Sequence, residues 1–233
     1  MKKLSDSIKR RILLTCLLLL LFCGYTAAVL LADVQPVGPQ GSLVGFSTVN
    51  VFFFEAIGTN HTLKVITDLL GIFAIASGSM FALFGAYQWF SRKSLRKVDP
   101  ELFVLGTCYI LLGVLYYGFE KIALNYRPIL EDGELAASYP SSHTLLVLTV
   151  MGSVVIMANR YFRSRPTIRR TMIAVSALVA LTAFFGRMFS GIHWYTDIIG
   201  GLLLAAALVA ALDTAFACIA ERREKKEQTP AQE

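Results

Sequence analysis

The sequence is poor in charge, in histidine and in any cysteine pattern. Asp, Glu, Lys and Arg make up 16% of its 233 residues against 55% hydrophobic residues, and the mean hydropathy is +0.60. That balance excludes an ordinary soluble domain. The four cysteines, Cys16, Cys23, Cys108 and Cys218, fall inside apolar runs with no Cys-x-x-Cys among them, so they read as small hydrophobes. With three histidines, no His-x-x-x-His and no pair of Glu-rich helices, the chain has no recognisable metal framework. No cofactor is expected. The formal charge of +6 does not point to nucleic acid, because the basic residues lie in short clusters between apolar runs, as cytoplasmic loops do.

What the chain has is a series of apolar runs near or beyond the roughly 20 residues that cross a bilayer. A basic start, Lys2 to Arg11, precedes a run from Ile12 to about Leu31. Such a run is longer than the apolar core of a signal peptide and reads as an uncleaved first span with its amino end inside. Further spans are expected from Leu63 to Phe90, Leu102 to Ala123, Ser142 to Arg160, the Arg170 region to Phe189, and His193 to Ala220. Val34 to Thr62 holds too much Gly, Pro and Ser for one clean helix. It is expected to lie along the outer surface, with Phe52, Phe53 and Phe54 dipping into the interface. The predicted fold is therefore all-α: a polytopic bundle of six transmembrane helices with both termini cytoplasmic. One membrane-embedded domain covers 1–220, and a charged, unstructured cytoplasmic tail covers 221–233.

Charge supports this orientation. The segments assigned to the inner side carry 18 of the 22 Lys and Arg residues, leaving Lys64, Lys121, Arg127 and Arg187. Basic residues on the outer side are unusual, which makes these four candidates for binding an anion. Asp68, ionisable within a membrane helix, is a functional candidate by the same reasoning, although a pairing with Lys64 at i, i+4 accounts for it more simply.

The stretch from Gly186 to Gly201, GRMFSGIHWYTDIIGG, sets an arginine, a histidine and an aspartate in apolar surroundings. His193 and Asp197 are four apart, so a helix starting near His193 would let the carboxylate fix the tautomer of the imidazole. The Ser190-Gly191 break lets the chain reverse and brings Arg187 back beside His193. Pro140-Ser141-Ser142-His143 opens another span, where free backbone N–H groups and the helix dipole favour an anion. Two histidines, an aspartate and several cations at one membrane face suit phosphate chemistry. The same cations oppose a bound metal ion.

These pieces resemble the type 2 phosphatidic acid phosphatase family, whose pattern is K-x6-R-P, then P-S-G-H, then S-R-x5-H-x3-D. KIALNYRP supplies Lys121, Arg127 and Pro128; PSSH supplies Pro140 to His143; GRMFSGIHWYTD supplies Arg187, His193 and Asp197. Ser142 stands where the family has Gly, and Gly186 where it has Ser. Five residues separate Lys121 from Arg127 where the family has six, so that Glu120 takes the family's lysine position. The resemblance implies that His193 attacks phosphorus to form a phosphohistidine, that Asp197 fixes its tautomer, and that His143 protonates the leaving oxygen and later activates water. It also implies that Lys121, Arg127, Arg187 and the Ser142 region hold the phosphate oxygens without metal. Lys121, and not Glu120, is expected to reach the phosphate, either because the helix tightens before Arg127 or because the long side chain swings across.

The resemblance implies an integral-membrane lipid phosphate or diphosphate phosphatase working at the extracytoplasmic face of a bacterial cell membrane. Undecaprenyl diphosphate is the first candidate substrate, followed by phosphatidate and phosphatidylglycerol phosphate. A phosphotransferase using the same intermediate and a non-enzymatic lipid-binding or transport module are the alternatives.

Overall fold

The computed structural model describes residues 5–227, with side chains through 225. Seven α-helices account for most of these residues: α1 Asp6–Leu31, α2 Ser47–Ile57, α3 His61–Arg92, α4 Pro100–Ile122, α5 Ser142–Tyr161, α6 Pro166–Phe189 and α7 Tyr195–Glu227. All but α2 are long and apolar enough to span a membrane. Among the described residues there are isolated β-bridges but no named strand. The fold is thus the all-α polytopic bundle expected from the apolar runs.

Local sequence sets the helix boundaries. Asn60 accepts a hydrogen bond from Leu63 N at 3.0 Å to start α3, and Ser141 does the same for α5 through Thr144 N. Pro100 and Pro166 occupy first-turn positions in α4 and α6, where a missing N–H costs nothing. Asp197 caps α7 by reaching back to Trp194 N at 2.8 Å.

α5 is the most deeply buried span and packs against α3, α4, α6 and α7. Leu145, Val150 and Met151 meet Leu204 and Leu208 of α7 and Val179 of α6 in the largest apolar core. Close approach here depends on small residues: a Cβ on Gly201 of α7 would lie 2.9 Å from the Ser141 carbonyl oxygen. α1 packs along α7 and leaves Leu13, Leu17 and Leu20 exposed, as a lipid-facing helix does.

Two expectations need correction. Phe52 is exposed, but Phe53 stacks on Tyr195 with ring centroids 4.5 Å apart, and Phe54 packs against Trp194 at 5.6 Å. α2 therefore folds over the start of α7. Buried Asn50 fixes it there by donating to Thr196 Oγ1 at 2.9 Å and accepting from Thr196 N at 3.2 Å. The tail is not unstructured from residue 221, because α7 continues to Glu227. Arg223 pairs with Glu101 at 2.9 Å, and Lys225 pairs with Glu221 one turn back. Residues 228–233, like Lys2 and Lys3 of the basic start, lie outside the described residues.

Candidate active site

α6 ends at Phe189, and Gly191 adopts a positive φ of 67° that lets the chain turn into α7. His193 lies in this turn, two residues before α7 rather than inside it. Its Nδ1 is 3.8 Å from Asp197 Oδ2, too far for a hydrogen bond. Ser138 fills the gap: its Oγ is 3.0 Å from His193 Nδ1 and donates to Asp197 Oδ2. A hydroxyl has one proton, and here it goes to the carboxylate. The serine oxygen must then accept from His193, which puts the ring proton on Nδ1 and leaves a lone pair on Nε2. Asp197, fully buried, also accepts from Trp194 N and, at 3.4 Å, from Asn125 Nδ2.

Ser138 arrives through the α4–α5 connection. Arg127 N donates to Ala136 O, and Ser138 N donates to Asn125 O, which doubles this segment back on itself. The same fold brings in Arg127, whose Nε donates to Ala137 O at 3.2 Å and whose Nη1 is 2.9 Å from Glu131. His193 is held well below the usual histidine range by burial, and the charges of Arg127, Arg187 and His143 push it the same way.

A second cluster joins α3, α5 and α6. Arg187, only 2% exposed, donates through Nη1 to Thr67 Oγ1 at 2.9 Å and Asp68 Oδ1 at 2.8 Å. Asp68 Oδ1 is also 3.3 Å from His143 Nε2, and Oδ2 accepts from Lys64 Nζ at 2.9 Å. The Lys64–Asp68 pairing expected from their spacing is present, and Asp68 joins the site as well. Gly186 makes room for Thr67, since a Cβ there would approach Thr67 Cγ2 to 2.8 Å. His143 Nδ1, Arg187 Nε and His193 Nε2 are buried without a hydrogen-bond partner in the protein.

His143, His193, Asp197, Arg127 and Arg187 are thus brought together, and Ser142 opens α5 beside them, largely buried. Lys121 is not. α4 remains a regular helix through Ile122 and closes at Ala123 in the left-handed region, so no tightening carries Lys121 inward. Its ammonium lies over the Tyr117 ring at 5.5 Å, while Glu120 lines a crevice with Ser138 and Ser142. One residue is about 100° of helix, enough to separate the two faces.

Residues 102–217 match the family model of the PAP2 superfamily. The chain belongs to this superfamily. Phosphatidylglycerophosphatase B of Bacillus subtilis (strain 168) is 22% identical over 129 residues, covering 55% of this chain and 62% of that protein, so the similarity spans less than two thirds of the relative. The crystal structure of a transmembrane PAP2 type phosphatidylglycerolphosphate phosphatase from Bacillus subtilis superposes with a TM-score of 0.61 at 18% identity. That match covers 88% of this chain and 97% of the other, so the two share a fold.

Reading the sequence for the PAP2 pattern misses Ser138, Thr67 and Asn125. Ser138 stands two residues before Pro140 of the second motif, but nothing in the spacing marks it as the bridge between His193 and Asp197.

Proposed function

We propose that this protein is an integral-membrane lipid phosphatase that works through a phosphohistidine on His193. The observation that carries the proposal is that His193 Nε2, Arg187 Nε and His143 Nδ1 are each buried without a partner in the protein, while Arg127, Arg187 and His143 all act electrostatically on His193. Such a site offers a nucleophile, an anion donor and a proton carrier around one small, highly charged group.

In the first step the His193 Nε2 lone pair bonds to phosphorus as the P–O bond to the lipid breaks. His143, whose Nε2 lies 3.3 Å from the Asp68 carboxylate, gives its proton to the departing oxygen. Positive charge on the phosphorylated imidazole is stabilised by Asp197 through the Ser138 hydroxyl. In the second step His143 takes a proton from water, the water oxygen bonds to phosphorus, and the N–P bond breaks to restore neutral His193. Arg127 and Arg187 hold the equatorial oxygens, with the α5 N-terminus at Ser142 aimed at the same charge. These cations supply the charge stabilisation for which other phosphatases use metal.

A lipid substrate is supported by an apolar groove of about 510 Å³ between α3, α4 and α5. It is lined by Ile72, Ile75, Leu112, Leu146 and Val150 and reaches Asp68 and His143. The names of both similar Bacillus proteins support testing phosphatidylglycerol phosphate first, ahead of undecaprenyl diphosphate and phosphatidate. The proposed orientation has both termini in the cytoplasm and the site at the extracytoplasmic face of a bacterial membrane. It rests on the basic segments at the end of the bundle opposite the site.

The experiment is phosphate release from these three lipids by purified protein in EDTA. Release from at least one of them, inhibited by orthovanadate, is the expected result. No release without a divalent ion would overturn the metal-free mechanism. Transfer to an added alcohol in preference to water would mark a phosphotransferase, and binding without release would mark a lipid-binding or transport module.

A further inference from the structure

We propose that Lys64 of α3, and not Lys121 of α4, supplies the third cationic contact to the phosphate; this rests on the phosphatase reading above. Lys64, Thr67, Asp68 and Gly71 follow the i, i+3, i+4, i+7 spacing and form one stripe of α3. The lower part of that stripe is fixed against the site. Thr67 and Asp68 bind Arg187 on α6, and Gly71 lies so near His143 on α5 that an added Cβ would be 3.3 Å from the ring. Lys64 is the next residue up the same stripe, partly exposed at the mouth. A single carboxylate separates its ammonium from Arg187 and His143, at 2.9 Å on one side and 2.8 Å and 3.3 Å on the other. The ammonium also acts electrostatically on His143.

Charge balance gives this position a function. A phosphate group carries close to two negative charges near neutral pH. Asp68 offsets the charge of Arg187, and Glu131 offsets that of Arg127 at 2.9 Å. Lys64 cancels Asp68, which leaves Arg187 able to attract the substrate. Its ammonium has three donors and spends one on Asp68, so others are free to meet a phosphate oxygen. Lys121 offers no comparable geometry, since its ammonium rests on Tyr117.

The test compares Lys64→Ala, Lys64→Arg and Lys121→Ala in the full-length protein. Two quantities are read: the affinity for orthovanadate, from ligand-induced thermal stabilisation, and KM and kcat on the best lipid phosphate. Lys64→Ala is expected to weaken orthovanadate about tenfold or more and to raise KM, and Lys64→Arg to recover most of both. Lys121→Ala is expected to cost at least about fivefold less than Lys64→Ala. A larger loss for Lys121→Ala would overturn the assignment. So would a Lys64→Ala protein that melts earlier but binds orthovanadate normally, since that would make the Lys64–Asp68 pair a support for α3 alone. Orthovanadate binding needs no turnover, so failure of the wild type to release phosphate from any lipid would refute the phosphatase reading and still leave Lys64 decided.

Discussion

At one end of the bundle Glu101, only 2% exposed, receives Arg160 Nε at 3.0 Å and Nη2 at 2.5 Å, together with Arg223 Nη1 at 2.9 Å. At the other end Arg187, equally buried, reaches Thr67 and Asp68 through Nη1 while its Nε has no partner in the protein. Both ends bury charge, at a cost that only pairing or ligand binding offsets. The Glu101 end resembles a closed account of hydrogen bonds that ties α4, α5 and α7 together. Nearby Asp99 follows the same rule. Burial works against its charge, but hydrogen bonds from Gln88, Arg92 and Tyr161 outweigh it and hold the carboxyl below its usual range. At the Arg187 end, histidine and guanidinium atoms are held in place with part of their bonding capacity unspent. Buried charge that is fully paired organises the fold, whereas buried charge left partly unpaired is available for chemistry.

The sharpest way to break this contrast is to remove the group with the most to lose. His193→Ala should abolish the acid-labile phosphoenzyme and lower kcat by at least about a thousandfold, since a nucleophile cannot be replaced by its neighbours. Rapid-quench trapping with a labelled lipid phosphate reads it. A variant with wild-type turnover would remove His193 from the chemistry.

Ser138→Ala comes next. With the hydroxyl gone, Nδ1 and Asp197 Oδ2 would still be 3.8 Å apart unless the ring moved. The expected result is a fall of about 10- to 100-fold in kcat with little change in KM, because the proton on Nδ1 is no longer fixed. Ser138→Thr, which keeps the hydroxyl, should recover much of it. Full activity in Ser138→Ala would show that the aspartate reaches the histidine directly.

The opposite end predicts the opposite signature. Glu101→Gln should lower the thermal midpoint, with about 1–3 kcal/mol lost because Arg160 and Arg223 remain partly solvated after their shared partner loses its charge. At a temperature where the variant stays folded, kcat/KM should remain within about twofold. A turnover defect larger than the stability defect would mean that the two ends are coupled.

The division between the ends also explains what could be read from sequence. Spans were legible because length and apolarity are local properties, and the basic clusters between them were legible for the same reason. The candidate residues His143, His193, Asp197, Arg127 and Arg187 could be singled out because their spacing survives in one dimension. Ser138 was not, because its role depends on the α4–α5 connection doubling back between Arg127 and Ala136. Asp68 was visible as a partner of Lys64, a local matter, but its contacts with Arg187 and His143 depend on how three helices pack. Lys121 misled because it stood one position from the expected lysine, and neither expected repair occurs: α4 does not tighten, and the side chain rests over Tyr117 instead of swinging across. The helix kept its pitch, and the lysine that pairs with Asp68 beside Arg187 and His143 stands on α3.

The smallest effect concerns pH and tests whether burial, rather than neighbouring charge, keeps His193 ready to react. Burial is the larger cause of its lowered pKa and Arg127 the first of the charges. A lowered pKa means that the neutral, nucleophilic ring persists as pH falls, until the pH passes below that pKa. The acid limb of phosphoenzyme formation should therefore lie below the ordinary histidine value of about 6.5. The lipid phosphate itself titrates near pH 6, which makes a comparison on one substrate necessary. Arg127→Gln removes the charge while keeping a donor for Ala137 O. Its acid limb should move upward by roughly half a pH unit, with burial and the charges of Arg187 and His143 holding the rest of the shift. The height of the profile will fall because an anion contact is lost, so the position of the limb is the readout. An acid limb at or above 6.5 in the wild type would mean that His193 is more hydrated in the working enzyme than its burial implies. An unmoved limb in Arg127→Gln would remove the Arg127 charge from the causes of the lowered pKa.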